Sequence, residues 1–298
     1  MITTIRELHD LARTGIPRTI AVPCPHDEDV LLSLDRAASE GVVRPLLIGR
    51  RAIIEEVRGR LGLGRFDGEI IECLGDAEAV EVAVRKVASG EAQMLMKGLV
   101  STSVFLKGIL NKEWGLRQRP LLSHVALFEG QLPDRLVLFS DVAMNIAPTL
   151  EQKVLIIENA VGLAHRLGIA KPRVAAIAAV ETVSPDMPAT MEAALLAKMS
   201  DRGQIKGCVV DGPLALDNAL SLEAARHKGI TSPVAGCADI LLLPDIEAGN
   251  VLYKLMGLLG RSPLAAVLVG ASAPVVLTSR ADSDQTKFNS IALAAAIS

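Results

Sequence analysis

The chain has 298 residues, half of them hydrophobic but only 2% aromatic, with a formal net charge of −3. That length suffices for two domains of ordinary size, while the shortage of rings and of any basic stripe excludes nucleic-acid binding as the main activity. The core must be built from Ala, Val, Ile and Leu, which suits parallel sheets covered by helices on both faces.

The first fifteen residues, MITTIRELHDLARTG, lack the apolar stretch of a secretory signal. From there apolar runs alternate with amphipathic stretches. The pattern predicts a strand over 18–24, a helix over 27–40, a strand over 44–49, a helix over 51–61, a strand over 69–75, a helix over 76–88, a strand over 93–98 and a helix over 101–110. Such alternation implies crossovers within a parallel sheet. Near Trp114 to Pro120 the rhythm breaks. Runs at 123–130 and 135–141 are strands joined by QLPD (131–134), enough for a hairpin but not for a crossover. Alternation then resumes: helix 150–167 with Thr149 as N-cap, strand 173–181, helix 187–199, strand 205–212, helix 217–227, strand 238–245, helix 246–259, two short strands at 264–270 and 273–280, and a last helix from Ser283.

The run between Arg261 and Arg280 is the longest apolar one, but Pro263, Gly270 and Pro274 interrupt it, so it is not a membrane span. The fold class expected is α/β, in two domains. The break at 112–120 sets one domain as 1–117 with 271–298, and a second, 118–270, inserted into it. The helix 246–259 is apolar most of the way round, which points to burial in a subunit interface and at least a homodimer. Four cysteines without a C-x-x-C pair read as buried thiols of a reducing, cytoplasmic compartment.

In open α/β sheets ligands bind beyond the carboxyl ends of the strands, so the residues that follow each strand are the candidates. After 93–98 come Lys97, Gly98 and three hydroxyl residues, Ser101, Thr102 and Ser103, that open a helix carrying Lys107. Helix-start N–H groups with hydroxyls and a lysine make a phosphate site, although Ser101 can equally be a plain N-cap. There is no G-x-x-x-x-G-K and no G-x-G-x-x-G. After 273–280 come Ser279, Arg280, Asp282, Ser283 and Asp284. An arginine there can fork onto phosphate oxygens and an acid can take a thiol proton; an N-cap beside a surface arginine is the plainer alternative. Asp211 in DGP is either a turn or a binding group. Asp141 and Asn145 are polar groups in an apolar loop, and Pro244–Asp245 reads as a helix start. The five histidines are scattered and suggest no hydrolase triad.

Taken together, MKGLVSTSVFLKGIL, GLRQRPLLSHVALFE, FSDVAMNIAPTLEQK, KMSDRGQIKGCVVDGPLALDNA, GCADILLLPDIEAGN and APVVLTSRADS resemble the phosphate acetyl/butyryl transferase family, and its butyryl branch most. They cover the chain from about residue 93 onward. The resemblance implies a fold like that of isocitrate and isopropylmalate dehydrogenases, with mostly parallel sheets and an interdomain cleft. It implies acyl-CoA plus phosphate giving acyl phosphate plus free CoA, with CoA as a substrate, no prosthetic group and no metal. Its functional Ser-Arg pair maps onto Ser279 and Arg280, and an arginine of the hydroxyl-opened helix maps onto Lys107. Its catalytic aspartate maps onto Thr286, a departure that passes the thiol base to Asp282 or Asp284. Lys97, Ser101, Thr102, Ser103, Lys107, Asp141, Asn145 and Asp211 are then the groups expected to bind substrate. The rival readings are a phosphate acetyltransferase and a non-catalytic acyl-CoA or phosphate-binding module on the same fold.

Overall fold

In the computed structural model, which describes residues 2–63, 68–130, 135–279 and 281–298, a helix α1 (Ile5–Ala12) opens the chain. The sequence reading omits it, although Ile5, Leu8 and Ala12 recur at helical spacing and are buried. There follow β1 (Arg18–Pro23), α2 (Glu28–Ser39), β2 (Val43–Gly49), α3 (Arg51–Arg60), β3 (Glu69–Glu72), α4 (Asp76–Ala88), β4 (Met94–Met96) and α5 (Thr102–Ile109). The middle of the chain forms β5 (Ser123–Glu129), β6 (Leu136–Ser140), α6 (Leu150–Arg166), β7 (Arg173–Ile177), α7 (Pro188–Asp201), β8 (Val209–Leu214), α8 (Leu216–Leu220), α9 (Leu222–His227), β9 (Ile240–Leu242) and α10 (Ile246–Leu258). It ends in β10 (Leu264–Val269), β11 (Val275–Val276) and α11 (Asp284–Ala296).

Local chemistry sets most helix starts. Asp27 accepts the Val30 N–H ahead of α2, Asp245 accepts the Ala248 N–H ahead of α10, and Thr149 forms a capping box with Gln152 ahead of α6.

The chain divides into two compact units. Residues 6–120 and 265–298 form a flanking unit, and residues 121–264 with the first five form a central one. In the flanking unit the strands run β3-β2-β1-β4-β11-β10, parallel except for β10 against β11. Ile20, Ala21 and Val22 of β1 and Met94, Leu95 and Met96 of β4 are wholly buried, as strands covered on both faces must be. In the central unit the order is β5-β6-β9-β7-β8, parallel except for β5, which pairs antiparallel with β6 as a hairpin partner should. The QLPD connection itself lies outside the described residues.

Several expected elements need correction. The strands expected over 69–75, 93–98, 238–245 and 273–280 are shorter, Glu69–Glu72, Met94–Met96, Ile240–Leu242 and Val275–Val276, and strand 173–181 ends at Ile177. Strand 205–212 starts only at Val209 and continues to Leu214, because Gly207 takes φ 78°, which no extended strand accommodates. Asp211 lies within this strand, as expected from the range 205–212, paired with Ala175, and Gly212 to Leu214 continue the strand where a turn was the alternative. The helix expected over 217–227 is two helices: Ser221 is extended (φ −114°, ψ 116°) and caps the second through the Ala224 N–H.

Candidate active site

Parallel pairing of β4 with β11 aligns Leu95 with Val275 and Met96 with Val276. The Lys97 N–H donates to Val276 O at 3.0 Å. The segments that follow these two strands thus leave the sheet side by side, and these are the two segments that the sequence marks for phosphate. On the other side of β4 lies β1, whose Cys24 O accepts the Leu99 N–H at 2.7 Å. The strand order reverses here: β1, β2 and β3 step outward one way, and β4 lies on the opposite side of β1. The carboxyl-end crevice at such a reversal is where open α/β sheets bind ligands. Gly98 makes the close approach. A Cβ there would fall 2.3 Å from both Pro23 O and Cys24 O.

Ser101 is the N-cap of α5 and accepts the Val104 N–H at 3.2 Å. Thr102 and Ser103 are exposed in its first turn, where helix N–H groups point outward. Lys97 is buried and donates to Gly98 O at 3.3 Å. Lys107 is exposed and stands in the last turn of α5, about 9 Å along the axis from Ser101 at the helical rise, so the structure does not bring its backbone to the hydroxyl cluster.

Beyond β11, the Ser279 N–H donates to Asp282 Oδ2 at 2.7 Å, the Ala281 N–H to Ser279 Oγ at 3.3 Å and the Asp282 N–H to Ser279 O at 3.2 Å, closing a tight turn. Arg280 lies outside the described residues. Ser283 caps α11 by accepting the Thr286 N–H at 3.2 Å. Thr286, at the position of the family's acid, contacts the Ser283 hydroxyl at 3.3 Å. Asp284 is exposed in the first turn of α11. Sequence reasoning missed Lys287, which is buried and donates from Nζ to Asp282 O. No local signal marked it, because Asp284, Gln285, Thr286, Asn289 and Ser290 surround it with polar residues.

The central unit gathers a different set. Asp141 is buried and accepts four hydrogen bonds: Oδ1 from the Ala143 and Met144 N–H groups at 2.9 and 2.8 Å, Oδ2 from the His124 N–H at 3.2 Å and from Asn145 Nδ2 at 2.5 Å. Asn145 also donates to Leu122 O at 3.0 Å. Helix α10 seats on this loop. Gly249 leaves no room for a Cβ against Asp141 O, and Asn250 Nδ2 donates to Val142 O at 3.2 Å. These contacts build the loop. Asp211 is apart from it, on the outermost strand of its sheet, accepting its neighbour Gly212 N–H at 2.8 Å and the Ser232 hydroxyl.

Cys24 ends β1 beside the Gly98 turn, but burial, with Asp76 alongside, pushes its thiol up to about 12. It stays protonated at neutral pH and is not prepared as a nucleophile. A concavity of about 760 Å³ lies elsewhere, toward the amino ends of β1, β2 and β3, lined among others by Thr19, Val43, Arg44, Glu69 and Glu91; it touches none of the residues above, and large volume alone does not make it the site. Among the described residues no group of three or more His, Cys, Asp or Glu could hold a metal ion, and no helix is long and apolar enough to cross a membrane.

The sequence profile of the family described as phosphate acetyl/butaryl transferase matches residues 69–295. The chain belongs to this family. It is therefore an acyltransferase, and the matched range contains every site residue chosen from the sequence. A phosphate butyryltransferase from Clostridium acetobutylicum is 50% identical over 297 residues, 100% of this chain and 99% of that one. A phosphate acetyltransferase from Thermotoga maritima is 47% identical over 98% of both chains. The crystal structure of a branched-chain phosphotransacylase from Enterococcus faecalis V583 aligns with a TM-score of 0.82 at 34% identity, covering 93% of this chain and 97% of its own.

Proposed function

We propose that the protein reversibly transfers a short acyl group, butyryl foremost, between CoA and inorganic phosphate by direct attack in a ternary complex. The observation that carries this is the side-by-side exit of the 97–103 and 277–284 segments at the strand-order reversal of the flanking unit. An oxygen of phosphate attacks the thioester carbonyl carbon, the C–S bond breaks, and CoA leaves as a thiolate that takes up a proton. In reverse, the CoA thiol loses its proton to a carboxylate and attacks the acyl phosphate, and phosphate leaves. Neither direction needs an enzyme nucleophile. The protein has to align two polyanions, move one proton and stabilise charge on phosphate.

Lys97, the hydroxyls and N–H groups of 101–103, Ser279 and Arg280 serve the phosphate. Asp282 serves the proton, with Asp284 as the second acid. Lys107 reaches the substrate only through its side chain. The four cysteines are free, which fits a reducing cytoplasm, and the active form is a homo-oligomer.

The acyl length rests on similarity, and relatives of both names match the chain almost equally. One methylene is worth about 0.8 kcal/mol of burial, about fourfold in kcat/KM, so neighbouring chain lengths will all react. The test is release of free thiol from a panel of acyl-CoAs on addition of phosphate. Release that needs phosphate and is fastest with butyryl-CoA is expected. Acetyl-CoA as the fastest substrate moves the protein to the acetyl reading, and no release with any acyl-CoA leaves a binding module.

A further inference from the structure

The first turn of a helix favours acids, because its N–H groups and dipole are positive there, and a buried ammonium is costly unless paired. Lys287 goes against the first preference and meets the second only through its partners. It is the fourth residue of α11, its side chain is 3% exposed, and the residues after it, from Phe288 to Ala295, are all buried. Packing alone would select an apolar residue at this position. What the ammonium reaches is specific. It donates to the main-chain oxygen of Asp282, and Asp29 Oδ2 of α2 stands 3.7 Å away. Asp282 in turn holds the Ser279 N–H through its carboxylate at 2.7 Å.

Resting on the function proposed above, we infer that Lys287 is a positioning residue. It fixes the Ser279–Asp282 turn and with it the proton-transferring carboxylate. The tie also spans the sheet. Asp29 belongs to the helix that follows β1 and Asp282 to the turn that follows β11, and β4 lies between these strands. Lys287 therefore links the segments on both sides of the Lys97–Ser103 segment. The packing of α2 against α11 supports the link, with Arg36 stacked 4.0 Å from the Phe288 ring and donating to Gln285 at 2.6 Å. Its charge stands one hydrogen bond from the turn, a favourable place beside an anionic substrate.

Lys287→Met keeps most of the volume and removes donor and charge. Two readouts separate positioning from mere stability. Amide exchange at Ser279, which needs no substrate, is expected to quicken about tenfold as the turn loosens. Turnover of butyryl-CoA with phosphate is expected to fall about a hundredfold, the scale of a small misplacement of reacting groups, with KM for CoA little changed and a large part of turnover kept by Lys287→Arg. Should Lys287→Met not fold, Asp29→Ala acts from the half-exposed end of the tie and is expected to quicken Ser279 exchange and slow turnover in the same direction, each about threefold. Unchanged Ser279 exchange in the folded variants overturns the tie. Faster exchange with normal turnover overturns its part in the reaction. A wild-type protein that releases no thiol overturns the functional reading instead, and the exchange result tells the two failures apart.

Discussion

Ser101 and Thr102 are neighbours with different work. The Ser101 hydroxyl is spent on the Val104 N–H, so Ser101→Ala should lower stability by about 1 kcal/mol, the ordinary value of a cap. Thr102 is exposed one residue later. Thr102→Val should leave thermal stability unchanged and raise the KM for phosphate about tenfold, the loss of one hydrogen bond to a charged group. Melting curves and phosphate titrations of the two variants check the contrast. A fall in stability for Thr102→Val with phosphate KM intact would return that hydroxyl to the helix. Asp141 illustrates the opposite outcome. From the sequence it is a polar group awaiting a ligand; in the fold its two oxygens accept four donors of its own chain, the capacity of a carboxylate. What its carboxylate does in the fold is hold the 141–145 loop.

Among the elements, the β4–α5 connection is the most constrained. The Cβ of Gly98→Ala would meet two main-chain oxygens at 2.3 Å, and neither can swing aside as a side chain would. The substitution should cost about 3 kcal/mol or more and, by displacing Lys97 and Ser101 together, raise the phosphate KM in the same variant. Chemical denaturation paired with steady-state kinetics measures both; a stable, active Gly98→Ala would mean that the turn is wider than the structure shows. Helices α10 and α11 make a second comparison. Both are rich in apolar residues. Helix α11 is buried from Lys287 to Ala295 within its own chain. Helix α10 buries only Gly249 and Tyr253.

At the scale of the molecule, the face that α10 leaves open is apolar. Val251, Leu255, Leu258 and Leu259 follow helical spacing and are exposed, from 46% at Leu255 to 78% at Leu259. A stripe of this kind is expected to be an association surface. Its occupant is expected to be a second copy of the chain, since a closed two-fold pairing covers the same stripe on both partners. Light scattering at micromolar concentration should give at least a dimer, and Leu255→Glu with Leu258→Glu should give a smaller species. A monomeric wild-type protein would leave the stripe without this explanation.

The sequence by itself determined the alternation of elements, most helix starts and the family. Those features are local or repeated: a hydroxyl or acid before an apolar period, β-branched runs between turns, and several motifs in one chain order. It also singled out Lys97, Ser101 and Ser279 by their place after apolar runs, although the Ser101 hydroxyl serves as the cap of α5. Where the signal was weak it failed for physical reasons. Gly207 at positive φ moved the start of β8 to Val209. Ser221, extended and capping, divided a helix that periodicity reads as one. The sequence reading returned residues 271–298 to the first domain, but only the tertiary structure decided that β11 pairs with β4, between residues about 180 positions apart. It alone decided that Lys287 lies under the Ser279 turn. A buried lysine looks like a surface lysine in a sequence, and its partners, Asp282 and Asp29, are set by packing between helices that share no local pattern.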